Sequence, residues 1–256
     1  IQYFCTMAFL TKLFNFYLNA SIHVAIAVWC LVQMSQNESA NYANLVFFGT
    51  LISYNYLKHH QNFGKNNLLQ FQNISLLLIT LTSFFAFAYY FLLLNNTIQK
   101  QLILSGFFVL SYPFIRSIGW AKLFFVSFVV SYVTVFIPST TFSFESFFTR
   151  FLLLSALMIP FEINDSTTDS PSLKTLPQLF GIAKTKQIGY YLCVVSFGFS
   201  FYTAPRNGML STINSLFYLL VLASIYFSST KKTKYYTLFW VESVPIIWWL
   251  TLYFQS

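Results

Sequence analysis

Long apolar runs separated by short polar breaks form the dominant pattern of this chain. A helix that crosses a bilayer needs about 20 mostly apolar residues, and by this criterion the sequence predicts nine spanning helices. They lie at about 14–34, 41–60, 68–94, 99–115, 122–138, 145–163, 188–204, 209–228 and 235–253. No run of polar residues is long enough for a separate soluble domain. The pattern therefore predicts an all-α integral membrane protein with a single polytopic domain over residues 1–251.

The composition supports this class of protein and excludes several others. Of the 256 residues, 57% are hydrophobic and only 8% are charged, and the mean hydropathy is +0.63. Soluble domains carry roughly 25% charged residues. A soluble enzyme, a secreted disulfide scaffold and a nucleic-acid-binding domain are therefore excluded, and no nucleic-acid partner is expected. Residues 252–256 resemble the remnant that a tag-removing protease leaves, and no prediction rests on them.

The basic residues predict the orientation in the membrane. Eleven of the 14 Lys and Arg residues fall on the side where the N-terminus lies when the predicted helices alternate in direction. Because Lys and Arg concentrate in cytoplasmic loops, this asymmetry predicts a cytoplasmic N-terminus and an external C-terminus. We expect the protein in a bacterial inner membrane.

Acidic residues are scarce, and three of the six lie within eight positions: Glu162, Asp165 and Asp169. If the sixth helix continues through this segment, spacings of three and four residues place all three on one face. Three like charges favour a cation between them, and Mg²⁺ with a phosphate ligand is the natural candidate. A solvated helix end is the alternative interpretation. Glu242, in contrast, lies inside the last predicted helix, and we expect it to be protonated or hydrogen-bonded to a neighbouring helix.

Two segments resemble motifs of one known family. The acidic segment 162–169, followed by KTLP at 174–177 and by Gly181, resembles the second acidic motif of the UbiA superfamily of intramembrane prenyltransferases. The segment YPFIR at 112–116, continuing to Lys122, is similar to the basic segment that follows the fourth helix in that family. The resemblance implies nine helices around a central cavity that opens to the cytoplasmic face.

The first acidic motif of that family is altered in this chain. Asn55 is retained at the end of the second predicted helix, but Lys58 and Asn62 stand where aspartates are expected. In one interpretation, Lys58 replaces a metal ion as a ligand of phosphate. In the other, Lys58 pairs with Asp165 or Asp169 and locks a site that no longer binds substrate.

The resemblance implies a reaction and a set of site residues. The substrate would be an isoprenyl diphosphate held by Mg²⁺ and basic side chains, with fewer metal ions than is usual for the family, and its prenyl group would pass to a membrane-soluble acceptor. The residues implied are the catalytic group Asn55, Lys58, Glu162, Asp165 and Asp169, with Asp165, Asp169 and Glu162 as metal ligands; the diphosphate ligands Lys58, Arg116, Lys122 and Lys174; and the substrate-lining Tyr54 and Tyr56.

Three alternative functions stay open at this stage. A UbiA-type terpene cyclase would quench the same carbocation internally. A non-catalytic UbiA-like membrane subunit would bind a lipid or a partner protein, and the altered first motif favours it. An unrelated transporter is disfavoured, because the chain has only 8 Gly residues and shows no inverted repeat with broken helices.

Overall fold

The computed structural model describes residues 2–35, 40–59, 71–139, 143–203 and 208–254, which are helical throughout apart from short connections and contain no strand. Asn62 lies outside the described residues. The helices are α1 Gln2–Asn19, α2 Ile22–Gln33, α3 Ala40–His59, α4 Phe71–Leu92, α5 Asn96–Arg116, α6 Ala121–Ser131, α7 Phe144–Asp165, α8 Leu176–Thr203, α9 Gly208–Phe227 and α10 Ser243–Tyr253. Two π-helical turns, Tyr132–Phe136 and Tyr236–Val241, adjoin α6 and α10, and a 3₁₀ turn, Pro171–Leu173, precedes α8.

Each of the nine predicted segments coincides with a helix or with two adjoining helical pieces. By length and hydropathy, three helices of the described residues are able to cross a membrane: Ile74–Leu92, Asn96–Arg116 and Phe144–Asp165. A fourth crossing arises if the bent pair Leu10–Asn19 and Ile22–Gln33 counts as one span. The all-α fold is confirmed, and the number of crossings and their orientation stay predictions.

Polar side chains and special backbone conformations fix several helix ends. The Asn95 side chain accepts a hydrogen bond from the Ile98 N–H at the start of α5, and the Ser143 side chain caps α7 in the same way. The first predicted helix is broken, because Ser21 takes a left-handed conformation with φ 61° and the chain bends by 55° between α1 and α2. The predicted span at about 14–34 therefore consists of two helices joined by a bend.

Helix α7 lies at the centre of the bundle. It packs against α6, α8 and α9, and 61% of its most apolar stretch is buried, compared with 6% for α4 and 11% for α5. One apolar core, which includes Leu153, Ile159 and Val221, joins α7 to α8, α9 and α10. A second core, which includes Val28 and Tyr42, joins α2 to α3 and α5. Because α7 is held by the first core, the acidic residues at its C-terminal end have a fixed position.

Candidate active site

The three clustered acids lie at the C-terminal end of α7, but only two of them are helical. Helix α7 ends at Asp165, and Asp169 follows in a turn. The turn continues the direction of the helix, because the Asp169 N–H donates to the Asp165 carbonyl oxygen at 2.8 Å. Glu162 is buried, with 2% of its surface exposed, while Asp165 is exposed. The prediction that all three share one helical face is therefore corrected for Asp169.

Lys122 joins two of these acids. It lies in the first turn of α6, and its Nζ is 3.2 Å from Glu162 Oε1 and 2.7 Å from Asp169 Oδ2. All three side chains are buried. Lys122, which the sequence predicts as a diphosphate ligand, thus lies inside the acidic cluster as a fixed cation.

The loop after α7 is held against the turn before α6. The Gly119 N–H donates to the Leu173 carbonyl oxygen at 2.9 Å, and a Cβ on Gly119 would lie only 2.0 Å from that oxygen. Gln178 closes the loop from the other side, because its Nε2 donates to the Asp169 carbonyl oxygen at 3.2 Å and its Oε1 accepts from the Thr175 N–H at 3.0 Å. These contacts fix Asp169 within reach of Lys122.

Two further basic residues lie near the cluster without pairing with it. Arg116 ends α5, is exposed, and acts electrostatically on Asp165 and Tyr112. Lys174 is exposed in a left-handed conformation with φ 54°. Within the described ranges neither residue forms an ion pair, so both are available to an anionic ligand. The role of both as diphosphate ligands stays a prediction.

The carboxylates at the end of α7 fit one Mg²⁺ ion that a bound ligand would also coordinate. Among the described residues, no three His, Cys, Asp or Glu side chains are close enough to hold an ion together, so the predicted set of Glu162, Asp165 and Asp169 is not assembled as a three-ligand site. Glu162 Oε2 is nevertheless buried without a hydrogen-bond partner, and the Asp165 carboxylate is accessible. Mg²⁺ in proteins commonly uses one or two carboxylates, with waters and substrate phosphates as the other ligands.

The altered first motif lies on α3, where Asn55 and Tyr56 face a cavity and Tyr54 faces the second apolar core. Asn55 is buried; its Nδ2 donates to Thr80 Oγ1 at 3.4 Å, and its Oδ1 has no partner. Asn55 and Tyr56 line an almost entirely apolar cavity of about 390 Å³ between α3, α4 and α5. Tyr54 packs instead against the second apolar core.

Lys58 does not reach the acidic cluster. Its Nζ donates to the Leu18 carbonyl oxygen at 3.4 Å, at the end of α1, and it interacts electrostatically with Glu242. It forms no ion pair with Asp165 or Asp169 in the described part of the chain. The interpretation in which Lys58 locks those acids is therefore not supported by the geometry; Lys122 makes such contacts instead.

Sequence reasoning missed that two tyrosines, Tyr112 and Tyr54, interact electrostatically with charged residues on other helices. Tyr112 interacts electrostatically with Lys122, Glu162 and Asp165. Tyr54 interacts in the same way with Tyr112 and Glu242. The signal available was weak: Tyr112 belongs to the recognised basic segment, but nothing in the sequence brings Glu242 near α3.

Comparison with solved structures decides the fold. A UbiA homolog from Archaeoglobus fulgidus aligns with a TM-score of 0.58 and 12% identity, covering 91% of this chain and 93% of that one. The chain has the UbiA fold. A structure of a UbiA homolog from the same organism bound to GPP and Mg²⁺ aligns with a TM-score of 0.57 and 14% identity over the same shares of the two chains. The UbiA resemblance of the motifs is thus confirmed at the level of the fold, whereas no protein-family model and no curated protein matches the sequence.

Proposed function

We propose that this protein is an intramembrane prenyltransferase that ionises an isoprenyl diphosphate and transfers the prenyl group to a membrane-soluble acceptor. The observation that carries the proposal is the cluster of three acids and Lys122 at the end of α7, with the unpaired Arg116 and Lys174 beside it. A UbiA homolog of the same fold has been solved with GPP and Mg²⁺, which supports a diphosphate as the ligand.

Each charged group has a defined task in this proposal. Arg116 and Lys174 bind the terminal phosphate, because both are exposed and lack an internal partner. Lys122 keeps its buried position between Glu162 and Asp169, and from there its ammonium attracts the diphosphate electrostatically.

Asp165 and the unpaired Oε2 of Glu162 are the carboxylate groups that would hold Mg²⁺. The ion supplies the positive charge that neutralises the leaving diphosphate. Three acids and three basic side chains cancel one another here, so the ion offsets most of the negative charge that the ligand brings. Asn55 stays at the apolar end, where the almost entirely apolar cavity beside Tyr56 suits a prenyl chain better than a phosphate.

A second candidate, a non-catalytic membrane subunit, is favoured by one observation. Lys122 already forms buried ion pairs with two of the three acids, so both carboxylates have a cationic partner without any ligand. Such a subunit would use the UbiA fold to bind a lipid or a partner protein.

Pyrophosphate release separates the candidates. Purified protein in detergent is offered geranyl, farnesyl and geranylgeranyl diphosphate, each with Mg²⁺ and with a chelator. We expect Mg²⁺-dependent release from at least one donor, and about a 100-fold loss in Asp165→Asn, because an electrostatic contact to the developing charge is removed. Glu145→Gln is the matched control, since Glu145 is an exposed acid in the first turn of the same helix, at its other end.

The other results have defined meanings. Release that is equal in wild type and Asp165→Asn contradicts the role of the acidic cluster. No release from any donor favours the non-catalytic subunit. If release occurs, mass spectrometry of the lipid product distinguishes transfer to an acceptor from internal cyclisation.

A further inference from the structure

Four lysines without ion-pair partners gather where α9 ends: Lys186 of α8, and Lys231, Lys232 and Lys234 of the turn that follows α9. Among the described residues, both ion pairs belong to Lys122, so no carboxylate pairs with these four ammonium groups. We call this group the lysine patch. Lys186 is half-buried and the other three are exposed, so all four are accessible to a ligand. The proposed transfer reaction leaves this local excess of positive charge without a role.

Two of the four lysines are fixed against the last turn of α9. Lys186 Nζ donates to the Tyr226 carbonyl oxygen at 2.7 Å, and Lys232 Nζ lies 5.4 Å from the centroid of the Tyr236 ring. The Tyr236 hydroxyl donates in turn to the Ser224 carbonyl oxygen at 2.5 Å, so both lysines are tied to the same helix end. The C-terminal end of a helix carries a partial negative charge, which attracts cations. The lysine patch is therefore held in place by backbone and ring contacts.

These contacts leave the ammonium groups with N–H donors for a ligand. An ammonium has three donors, and the Tyr226 oxygen takes only one of those of Lys186. Lys232 and Lys234 each lie over a tyrosine ring, 5.4 and 5.6 Å from its centroid, where the attraction is to the ring face. The predicted orientation requires only that these lysines lie in cytoplasmic loops, and it does not require these fixed contacts. A phosphate, with several negatively charged acceptor oxygens, fits such a group of donors.

An exposed apolar strip continues from Lys186 along the outside of α8 and α9. Hydrogen bonds at two levels show that these helices lie side by side and antiparallel. Residues seven or eight positions apart share a helix face, so Val194 of α8 lies on the face of Lys186, and Leu219 of α9 lies on the face of Tyr226. Val194, Leu219 and Tyr226 are 58%, 59% and 67% exposed. The outside of this helix pair thus has cations at one end and an apolar surface beyond them.

The charge and the strip together define the ligand that fits. A zwitterionic lipid carries a cation that the lysines repel, whereas an anionic phospholipid carries a phosphate without one. Basic groups between transmembrane helices bind anionic head groups, and each lysine near the head group is worth about a fivefold gain in affinity. A soluble phosphate compound would leave the apolar strip uncovered.

We propose that the lysine patch and this strip bind an anionic phospholipid of the surrounding membrane, with its phosphate at Lys186 and the end of α9 and its acyl chains along Val194 and Leu219. No residue of this site belongs to the acidic cluster, so the site does not depend on the proposed transfer reaction. Because the lipid contacts both α8 and α9, its binding stabilises the folded protein by mass action.

Native mass spectrometry of the full protein in a non-ionic detergent measures this binding without any prenyl substrate. The protein is titrated with dioleoyl phosphatidylglycerol or with dioleoyl phosphatidylcholine, so that only the head group differs. We expect phosphatidylglycerol to bind with a Kd about tenfold lower, because at least two lysines contribute. Raising the ammonium acetate concentration to about 0.5 M should reduce this preference, because salt screens exposed charges. Glycerol 3-phosphate, which has the phosphate and no acyl chain, should not displace the lipid.

Variants of single lysines locate the site. Lys186→Gln should raise the Kd for phosphatidylglycerol about fivefold, whereas Lys186→Arg, which keeps the charge, should stay within about twofold of wild type. Lys184→Gln is the matched control: Lys184 is exposed on the same helix, but at 100° for each residue it lies about 160° around the helix from Lys186. Lys100→Gln, on the exposed surface of α5, controls for net charge. Replacing the three lysines of the turn together by Gln should reduce the preference for phosphatidylglycerol to about twofold.

The outcomes either support this site or overturn it. A preference for phosphatidylglycerol that falls in Lys186→Gln and in the triple variant, and persists in both controls, supports the site. Equal affinity for the two lipids, a preference that persists in the triple variant, or an equal loss in Lys184→Gln overturns it. Displacement by glycerol 3-phosphate indicates a site for soluble phosphates and overturns the assignment to a lipid.

Thermal unfolding of each variant shows that a loss of binding comes from a folded protein. This check matters most for Lys186→Gln, because Lys186 also binds α9 through the Tyr226 carbonyl oxygen. The three lysines of the turn are exposed, so the triple variant tests the site even if Lys186→Gln does not fold.

Discussion

Replacing Lys122 by Met is the most informative single change to the acidic cluster. The substitution keeps most of the apolar stem and removes the ammonium that contacts Glu162 Oε1 at 3.2 Å and Asp169 Oδ2 at 2.7 Å. Within the described residues, Lys122 is the only ion-pair partner of these two carboxylates, which repel each other once it is removed. We expect the variant to be folded but considerably less stable than wild type.

The exposure and the distances set the size of the effect. Only 8% of the Lys122 side chain and 2% of the Glu162 side chain are exposed, so water screens the pair poorly. At an effective dielectric constant of about 20, unit charges about 3 Å apart attract by about 5 kcal/mol. Desolvation of the three groups offsets much of this attraction, and breaking a buried pair by removing one partner costs about 3–5 kcal/mol. We therefore expect Lys122→Met to lower the free energy of unfolding by about 3 kcal/mol or more.

Denaturant unfolding in detergent, followed by circular dichroism, measures this change. Lys100→Met is the control, because Lys100 is exposed in the first turns of α5, and it should change the free energy of unfolding by less than about 0.5 kcal/mol. Adding Glu162→Gln to Lys122→Met should restore a large part of the loss, because the remaining carboxylate then has no buried neighbour of like charge. A Lys122→Met protein as stable as wild type, or a double variant less stable than the single one, would refute the reasoning.

Three further predictions concern the loop and the metal. Gly119→Ala should destabilise the protein by about 1–3 kcal/mol, because the new Cβ meets the Leu173 carbonyl oxygen at 2.0 Å. The control Gly106→Ala, whose Cβ meets nothing within 4 Å, should be neutral or slightly stabilising in the same unfolding assay. Gly181→Ala should cost about 1–3 kcal/mol although its Cβ meets nothing within 4 Å, because φ 78° with ψ 162° is a conformation reserved for glycine; a stabilised variant would contradict this. A chelator should leave the thermal midpoint of the ligand-free protein unchanged, whereas Mg²⁺ with a prenyl diphosphate should raise it; a drop with chelator alone would indicate a preformed metal site.

Apolar runs made the helix positions predictable, because each span needs a minimum length of apolar chain whatever its neighbours are. The same argument cannot locate irregularities within a run. The left-handed Ser21 and the turn Tyr236–Val241 lie inside apolar segments. Two carbonyl oxygens beside these irregularities bind side chains from elsewhere: the Phe239 oxygen binds His23, and the Leu18 oxygen accepts from Lys58. The sequence pattern shows neither partner.

The acidic segment was predictable as a site, but its internal contacts were not. Glu162, Asp165 and Asp169 are close in sequence, so their proximity follows from helical spacing. The partner of two of them, Lys122, comes from another helix, and its selection depends on how α6 packs on α7. Lys58 shows the same limit, because its contact with Leu18 depends on the bend between α1 and α2.

The π-helical turn before α10 lets the chain carry one residue more at this place than a regular α-helix needs. A π-helical turn closes its hydrogen bonds over one residue more than an α-helical turn. Each residue in an α-helix rotates the chain by about 100°. A residue simply added to an α-helix would turn everything after it by that angle, but the wider π-helical turn absorbs the extra residue. Deleting any one residue from Tyr236–Val241 would therefore allow a regular α-helix and leave Glu242 facing nearly the same way, with every side chain of α10 preserved. Substitution scanning across this helix would overlook that tolerance, and a scan of single-residue deletions would expose it.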